Sequence, residues 1–374
     1  KTKFKLLTLS LVWGFISAAL FLWFRWEMPL QSPISTQTHF RFAPGEWLRK
    51  AINPPIIYGF LPYWNLQEAN INPKLTHLAY FGLTVGPDGS LETEGDSESL
   101  AGYRGLQSEN FLNLLAELNQ NRTQLELVIK QFSSNDAQKF LSSKEAQNNL
   151  FKQLDSLILA YPISGINLDF ELVDTEEKNQ NQFTEFVKQL SQYLKTRYQK
   201  INLSVDVYAS AASGKQLWNV AALEPYIDYF IVMAYDFNQR GSPQAGPVSP
   251  LIGAGEKHKD NINAYLKEFL EQVPQEKILL GVPFYGYEWQ TISRDKTANT
   301  YPDSGRTASY QRVQEILDQK KVLNVQENWD DESLVPYISY KKTEETFIIY
   351  YENQRSLAYK IDYVNQLDLA GIAI

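Results

Sequence analysis

From residue 56 onward, short apolar runs alternate with longer stretches whose apolar residues recur every three or four positions. The runs at 56–60, 77–83, 125–131, 164–171, 201–208, 228–234, 277–283 and 369–374 predict eight strands, and the stretches at 110–119, 144–160, 176–197 and 261–272 predict helices between them. Strand and helix in this alternation give parallel strands joined by right-handed crossovers, and eight repeats close an α/β TIM barrel, (β/α)8. The spacing breaks once, between the seventh and eighth strands. There a helix at 309–320, a hairpin of 334–340 with 346–351, and a helix at 353–365 predict a small α+β insertion, about 290–350, forming one wall of a cleft.

The fourth strand carries the sharpest pattern. In Ser164-Gly165-Ile166-Asn167-Leu168-Asp169-Phe170-Glu171 an extended backbone puts Asn167, Asp169 and Glu171 on one face and Ile166, Leu168 and Phe170 on the other. Two carboxyls at i and i+2 raise each other's cost of ionisation, and the sequence supplies no adjacent Lys or Arg to offset it. Such a pair reads as functional if the strand is central, or as the wet face of an edge strand. The entry through Pro162 and Gly165, and the exit into Asp174-Thr175-Glu176-Glu177, favour a central strand feeding a helix, with its acids at the carboxyl end where barrel sites assemble.

Ahead of the barrel, Lys1, Lys3 and Lys5 precede an uncharged apolar run at 6–24 that Arg25 closes. Its length suits a membrane-spanning hydrophobic helix, and the lysines orient the remainder of the chain outward. An uncleaved anchor, a cleaved signal peptide (1–26) and a buried helix are the three readings. Residues 27–55 hold Pro29, Pro33, Pro44, Pro54 and Pro55 among polar residues and read as a linker.

Composition narrows the chemistry. A net charge of −8 and a pI of about 5.2 argue against nucleic acid as a partner. With no cysteine and only His39, His77 and His258, no metal site and no cofactor are expected, and carboxyls, amides and phenols are left to act. The 8 Trp and 22 Tyr include candidates for stacking on sugar rings. On the sixth strand Met233 and Tyr235 share a face and Asp236 opens the following loop; a Met and Tyr so spaced are by themselves more often core packing, and the acidic neighbouring strand makes the phenol a candidate hydrogen-bond donor.

Together these residues resemble glycoside hydrolase family 18, the chitinase-like barrels. Gly165, Asp169 and Glu171 match the family's fourth-strand pattern Asp-Gly-x-Asp-x-Asp-x-Glu, and Met233, Tyr235 and Asp236 match Met-x-Tyr-Asp. Tyr58-Gly59-Phe60-Leu61-Pro62-Tyr63-Trp64, Gly281-Val282-Pro283-Phe284-Tyr285-Gly286 and the stretch Tyr350 to Ser356 are further echoes, closest to bacterial members that act on cell-wall glycans. Ser164 and Asn167 stand where the pattern has its first two aspartates.

The resemblance implies retaining hydrolysis of β-1,4-linked N-acetylglucosamine polysaccharide, either chitin-type or peptidoglycan. Glu171 would protonate the glycosidic oxygen while the substrate's own acetamide attacks the anomeric carbon. Asp169 would hold the acetamide N–H, Tyr235 its oxygen and Asp236 a hydroxyl. Asn167, Met233, Trp64, Tyr285, Trp289 and Glu352 are candidate substrate-binding residues. The competing reading is a glycan-binding barrel without turnover; oligomeric state is open. Family members also continue past the eighth strand with a Trp and a closing helix, so the resemblance implies an extension beyond Ile374.

Overall fold

The computed structural model describes residues 54–91, 98–172, 176–198, 200–214, 216–253 and 259–374. The apolar run at 6–24, the linker to residue 53 and His258 lie outside them. Among the described residues no helix is long and apolar enough to cross a membrane.

Eight parallel strands form a closed barrel. They are β1 (Ile56–Pro62), β2 (His77–Thr84), β3 (Gln124–Gln131), β4 (Ile163–Phe170), β5 (Asn202–Tyr208), β6 (Tyr229–Met233), β7 (Ile278–Gly281) and, last in the chain, β13 (Gly371–Ala373). The short β13 closes the ring by pairing on both sides, Gly371 with Ile56 and with Leu279. Helices follow the strands outside: α1 (Glu98–Leu106), α2 (Glu109–Asn121), α3 (Ser134–Ser142), α4 (Lys144–Ala160), α5 (Glu177–Arg197), α6 (Val220–Leu223) and α7 (Ile262–Leu270). In α5, Phe183, Phe186, Val187, Leu190 and Leu194 bury one stripe against the sheet, Glu177 opens the helix, and Lys195 and Arg197 close it, matching the helix dipole.

The two faces of β4 separate as the alternation requires. Phe170 points outward into the helix layer, with ring centroids 5.4 Å from Phe183, 6.0 Å from Phe186 and 6.1 Å from Phe140. Inward, Tyr58, Ala79, Val128, Ile231, Leu279 and Ala373 pack together, one residue from each of six strands. Gly165 is needed on this inner side, because a Cβ there would stand 2.5 Å from Cδ of Glu126.

The insertion begins earlier than the sequence pattern suggests. It is an antiparallel sheet in the order β10-β11-β12-β8-β9, built from β8 (Tyr285–Thr291), β9 (Arg306–Ser309), β10 (Gln326–Asp330), β11 (Val335–Lys342) and β12 (Glu345–Tyr350), with α8 (Tyr310–Asp318) against it. The expected hairpin is β11 and β12, turning at Thr343, whose φ of 59° is left-handed. The polar strands β9 and β10 lie at the sheet's edges, where one face of backbone pairing is enough and apolar alternation is not required. Helix α9 (Gln354–Gln366) returns the chain to β13, starting from an Asn353–Ser356 capping box.

Candidate active site

Asn167 and Asp169 lie inside the barrel, buried, and Glu171 follows them at the carboxyl end of β4, half-buried. β5 brings a second polar series alongside. Asn167 pairs in register with Ser204 and Leu168 with Val205, so Asp206 stands beside Asp169 one rung further on, and Tyr208 beyond it. The Asn167 amide Nδ2 donates to Asp206 Oδ1 at 2.7 Å and to Ser204 Oγ at 3.1 Å. Tyr208 Oη donates to Glu171 Oε2 at 2.7 Å. The Tyr208 ring is held edge-on against Trp218, with centroids 5.0 Å apart.

The network continues down the barrel axis. Ser204 Oγ donates to Glu126 Oε2 at 3.1 Å, and Tyr58 Oη donates to the same oxygen at 2.7 Å. Burial pushes the Glu126 carboxyl up to about 7. Asp169 is raised well above the ordinary carboxylate range, first by burial and then by Glu171, with Lys130 opposing. Asp206 is raised likewise, by burial and by Asp169, with the Asn167 hydrogen bond opposing. Burial, Asp206, Asp169 and Glu171 all raise the Tyr235 phenol, so it remains a neutral donor among acids.

On β6, Met233 pairs in register with Tyr208 and with Gly281, which places it next to the Glu171 support. Asp236 adopts a left-handed φ of 61° at the strand exit, a conformation Asp tolerates better than most residues. Two phenols hold it there: Tyr285 Oη donates to its Oδ1 at 2.6 Å and Tyr287 Oη at 3.0 Å. Trp64 sits just after β1 and is 59% exposed, edge-on to Tyr63 and Phe81. Nearby, Lys130 Nζ lies 5.1 Å from the Phe81 ring centre and 5.2 Å from that of Phe132.

Two expected binding residues are placed elsewhere. Trp289 has no exposed surface; it packs in the core of the insertion, and its indole N–H donates to the carbonyls of Gln239 and Arg240. Glu352 is buried, with both carboxylate oxygens 2.8 Å from Lys360 Nζ, so it fastens the start of α9. Glu126, Ser204, Asp206 and Tyr208, which share this hydrogen-bond network, are not among the residues the sequence pattern singles out. The signal was present, since Asn202, Ser204, Asp206 and Tyr208 alternate with Leu203, Val205 and Val207 just as the acids of β4 alternate with their apolar neighbours.

A cavity of about 980 Å³ opens at the other, amino-terminal end of the strands, lined by Pro55, His77, Arg122 and Tyr229 among others; it contains none of the carboxyls described above. Among the described residues no group of three or more His, Cys, Asp or Glu side chains is disposed to hold a metal ion.

Known proteins share this barrel. The chain is 23% identical over 306 residues to the cortical fragment-lytic enzyme of Bacillus anthracis, covering 81% of this chain and 65% of that one. It spans 53% and 67% of the length of two Bacillus subtilis glycosylases, YdhD and YvbX, that it also matches. Among solved structures, the Group IV chitinase of Ostrinia furnacalis in complex with allosamidin superposes with a TM-score of 0.73 at 22% identity, covering 85% of this chain and 91% of that one. The Bacillus cereus spore cortex-lytic enzyme SleL does so with a TM-score of 0.66 at 21% identity, covering 85% and 70%. At these identities the likeness speaks for the shared barrel. The model of the family described as Glycosyl hydrolases family 18 matches residues 56–374, and the chain belongs to that family.

Proposed function

We propose that the chain hydrolyses β-1,4-linked N-acetylglucosamine glycans with retention of configuration, the acetamide of the substrate acting as nucleophile. The observation that carries this reading is the placement of Glu171 at the open end of β4, hydrogen-bonded to Tyr208, one alternation beyond the buried Asp169. Glu171 Oε donates a proton to the glycosidic oxygen as the acetamide oxygen closes on the anomeric carbon. Asp169 accepts the acetamide N–H and offsets the positive charge of the cyclic intermediate, a role that buried carboxylates perform well because little solvent screens them. Tyr235 donates to the acetamide oxygen before attack, and Asp236 holds a ring hydroxyl. Water then opens the ring with Glu171 as base.

Chitin-type oligomers and peptidoglycan glycan strands both present the required sugar, and the cortex-lytic relatives favour the second. We further propose that the segment at 6–24 tethers the barrel to a membrane on its outer side.

The test is incubation of the full chain with N-acetylglucosamine oligomers and, separately, with purified peptidoglycan, followed by mass analysis of the products. Release of fragments with N-acetylglucosamine at the new reducing end, first in the β form, is expected. Tight glycan binding with no new reducing ends favours a glycan-binding barrel and contradicts the proposal.

A further inference from the structure

Asp206 is a buried carboxyl for which the substrate-assisted reaction as written has no use. It lies on β5, one register step past the Asn167–Ser204 and Leu168–Val205 pairs, and therefore next to Asp169 on β4. Among the described residues, the charged and titratable groups that interact with it are Glu126 on β3, Asp169 and Glu171 on β4, Tyr58 on β1 and Tyr235 on β6, and Lys130 on β3 acts on its neighbour Asp169. Only Lys130 is a cation. It lies over the Phe81 and Phe132 rings, and no ion pair between it and Asp206 is formed. The sole protein hydrogen bond to Asp206 found among the described residues comes from the neutral Asn167 amide. Asp169 Oδ1 and Asn167 Oδ1 are both buried acceptors with no donor among the described residues. Two buried carboxyls side by side, with an amide donating to Asp206 and no donor to Asp169 Oδ1, resist ionising together, which leaves one proton for the two of them to hold.

We infer that Asp206 shares a single proton with Asp169 and takes it up when the N–H of a bound 2-acetamido sugar reaches Asp169. The inference rests on the hydrolase reading above. In the resting site the proton sits on an Asp169 oxygen, facing otherwise unmatched acceptors. Arrival of the substrate N–H supplies Asp169 with a donor. The O–H bond on Asp169 breaks, one forms on Asp206, and the pair keeps a charge of −1 throughout. Asp169 is then ionised against the developing positive charge, and the proton returns when product leaves. Asp206 touches no reacting atom; it is a positioning residue that acts through Asp169. It also accounts for how the chain works with Asn167 where the family pattern has an aspartate: the amide presents its N–H to the second carboxyl, which comes from the neighbouring strand instead.

The experiment compares the unmodified full chain with Asp206→Asn and Asp206→Ser on an N-acetylglucosamine oligomer across pH, with circular dichroism confirming that each is folded. Asp206→Asn keeps the shape but cannot accept the proton. It is expected to lower kcat on the order of 10² with KM little changed. Asp169 loses the stabilisation of the shared proton, so the acid limb of the pH profile is expected to rise by about one unit. Asp206→Ser restores an acceptor for the Asn167 amide without an ionisable proton and is expected to be equally impaired. Native kcat and an unshifted acid limb in either variant overturn the inference, because Asp206 would then be only a hydrogen-bond partner. A third measurement needs neither variant nor turnover: titration of the unmodified chain labelled with ¹³C at the Asp carboxyls. Two signals changing together in two linked steps are expected, and independent titration of both in the ordinary carboxylate range overturns the inference. If the unmodified chain cleaves no glycan, the hydrolase reading fails by itself, and this titration still decides whether the proton is shared.

Discussion

The phenol of Tyr208 donates a 2.7 Å hydrogen bond to Glu171 Oε2. Burial and the neighbouring Glu171 keep that phenol protonated far above any working pH, so it is a fixed donor and takes no part in proton exchange. Its effect is to select one rotamer of a half-buried glutamate and leave the other oxygen free for a leaving group. Tyr208→Phe retains the ring against Trp218 and removes only the hydroxyl. It is expected to lower kcat by roughly tenfold to a hundredfold while changing KM much less, since a charge-assisted hydrogen bond contributes about 1.5–3 kcal/mol. Steady-state kinetics on an N-acetylglucosamine oligomer check this, and an equal rise in KM with kcat intact would reassign Tyr208 to substrate binding.

A second expectation isolates the nucleophile. If the acetamide attacks, an oligomer whose sugar at the cleaved bond carries a free amine resists hydrolysis, and a thiazoline analogue of the cyclic intermediate inhibits. Asp169→Asn should then lose both turnover and tight binding of the thiazoline, because the carboxylate that opposes its charge is gone. Efficient cleavage of the amine-bearing oligomer would point to a protein nucleophile and leave the barrel assignment untouched.

The deep carboxyl Glu126 makes a pH prediction whose sign can be worked out. Its folded pKa of about 7 lies above the ordinary glutamate value near 4.5, so between those values the folded chain binds a proton that the unfolded chain has released. Its contribution to stability therefore falls as pH rises from about 4.5 to 7, by about 3 kcal/mol at one unit per 1.36 kcal/mol. His77, pushed down to about 4 by burial, works in the opposite sense and adds stability as pH rises from about 4 to 6.5. Glu126→Gln removes the first effect only. Its stability relative to the unmodified chain, from urea unfolding, is expected to improve steadily across that window, and a constant difference would contradict the assignment.

Glu352 and Lys360 form a fully enclosed ion pair that joins the insertion to α9. Burial raises the carboxyl and lowers the ammonium, so each charge depends on the other for its cost to be offset. Lys360→Met strands the carboxylate and should destabilise by about 3–5 kcal/mol. The double change Lys360→Met with Glu352→Leu should recover much of that loss. Thermal midpoints of the three chains provide the check, with the pair's role being structural if oligomer KM is unmoved in the double variant.

Much of this architecture is legible in the chain itself because burial imposes a period. The barrel strands and α5 announce themselves by alternation of two and of three to four, and the acids of β4 stand out because carboxyls interrupt an otherwise apolar core strand. The polar edge strands β9 and β10 carry no such period, since neither has two neighbours to satisfy. The pattern assigns Tyr285 to Trp289 to no element, yet the stretch pairs as β8 because the residue spacing cannot reveal a partner, β12, that arrives some sixty positions later. On β5 the alternation does mark Asp206 and Tyr208 as sharing a polar face, but it does not show what they meet. Asp206 and Tyr208 matter only through β4, and strand register between β4 and β5 is a property of the closed barrel, not of either stretch alone. Trp289 and Glu352 show the converse, side chains of the right chemical type whose environment is core.

The central claim is that Glu171 supplies the proton to the glycosidic oxygen, and Glu171→Gln tests it most directly. The amide keeps the size of the side chain and its contact with Tyr208 but has no acidic proton to give. Hydrolysis of an N-acetylglucosamine oligomer by Glu171→Gln is expected to fall by about 10² to 10⁴ with oligomer binding preserved. Turnover equal to that of the unmodified chain would contradict the account.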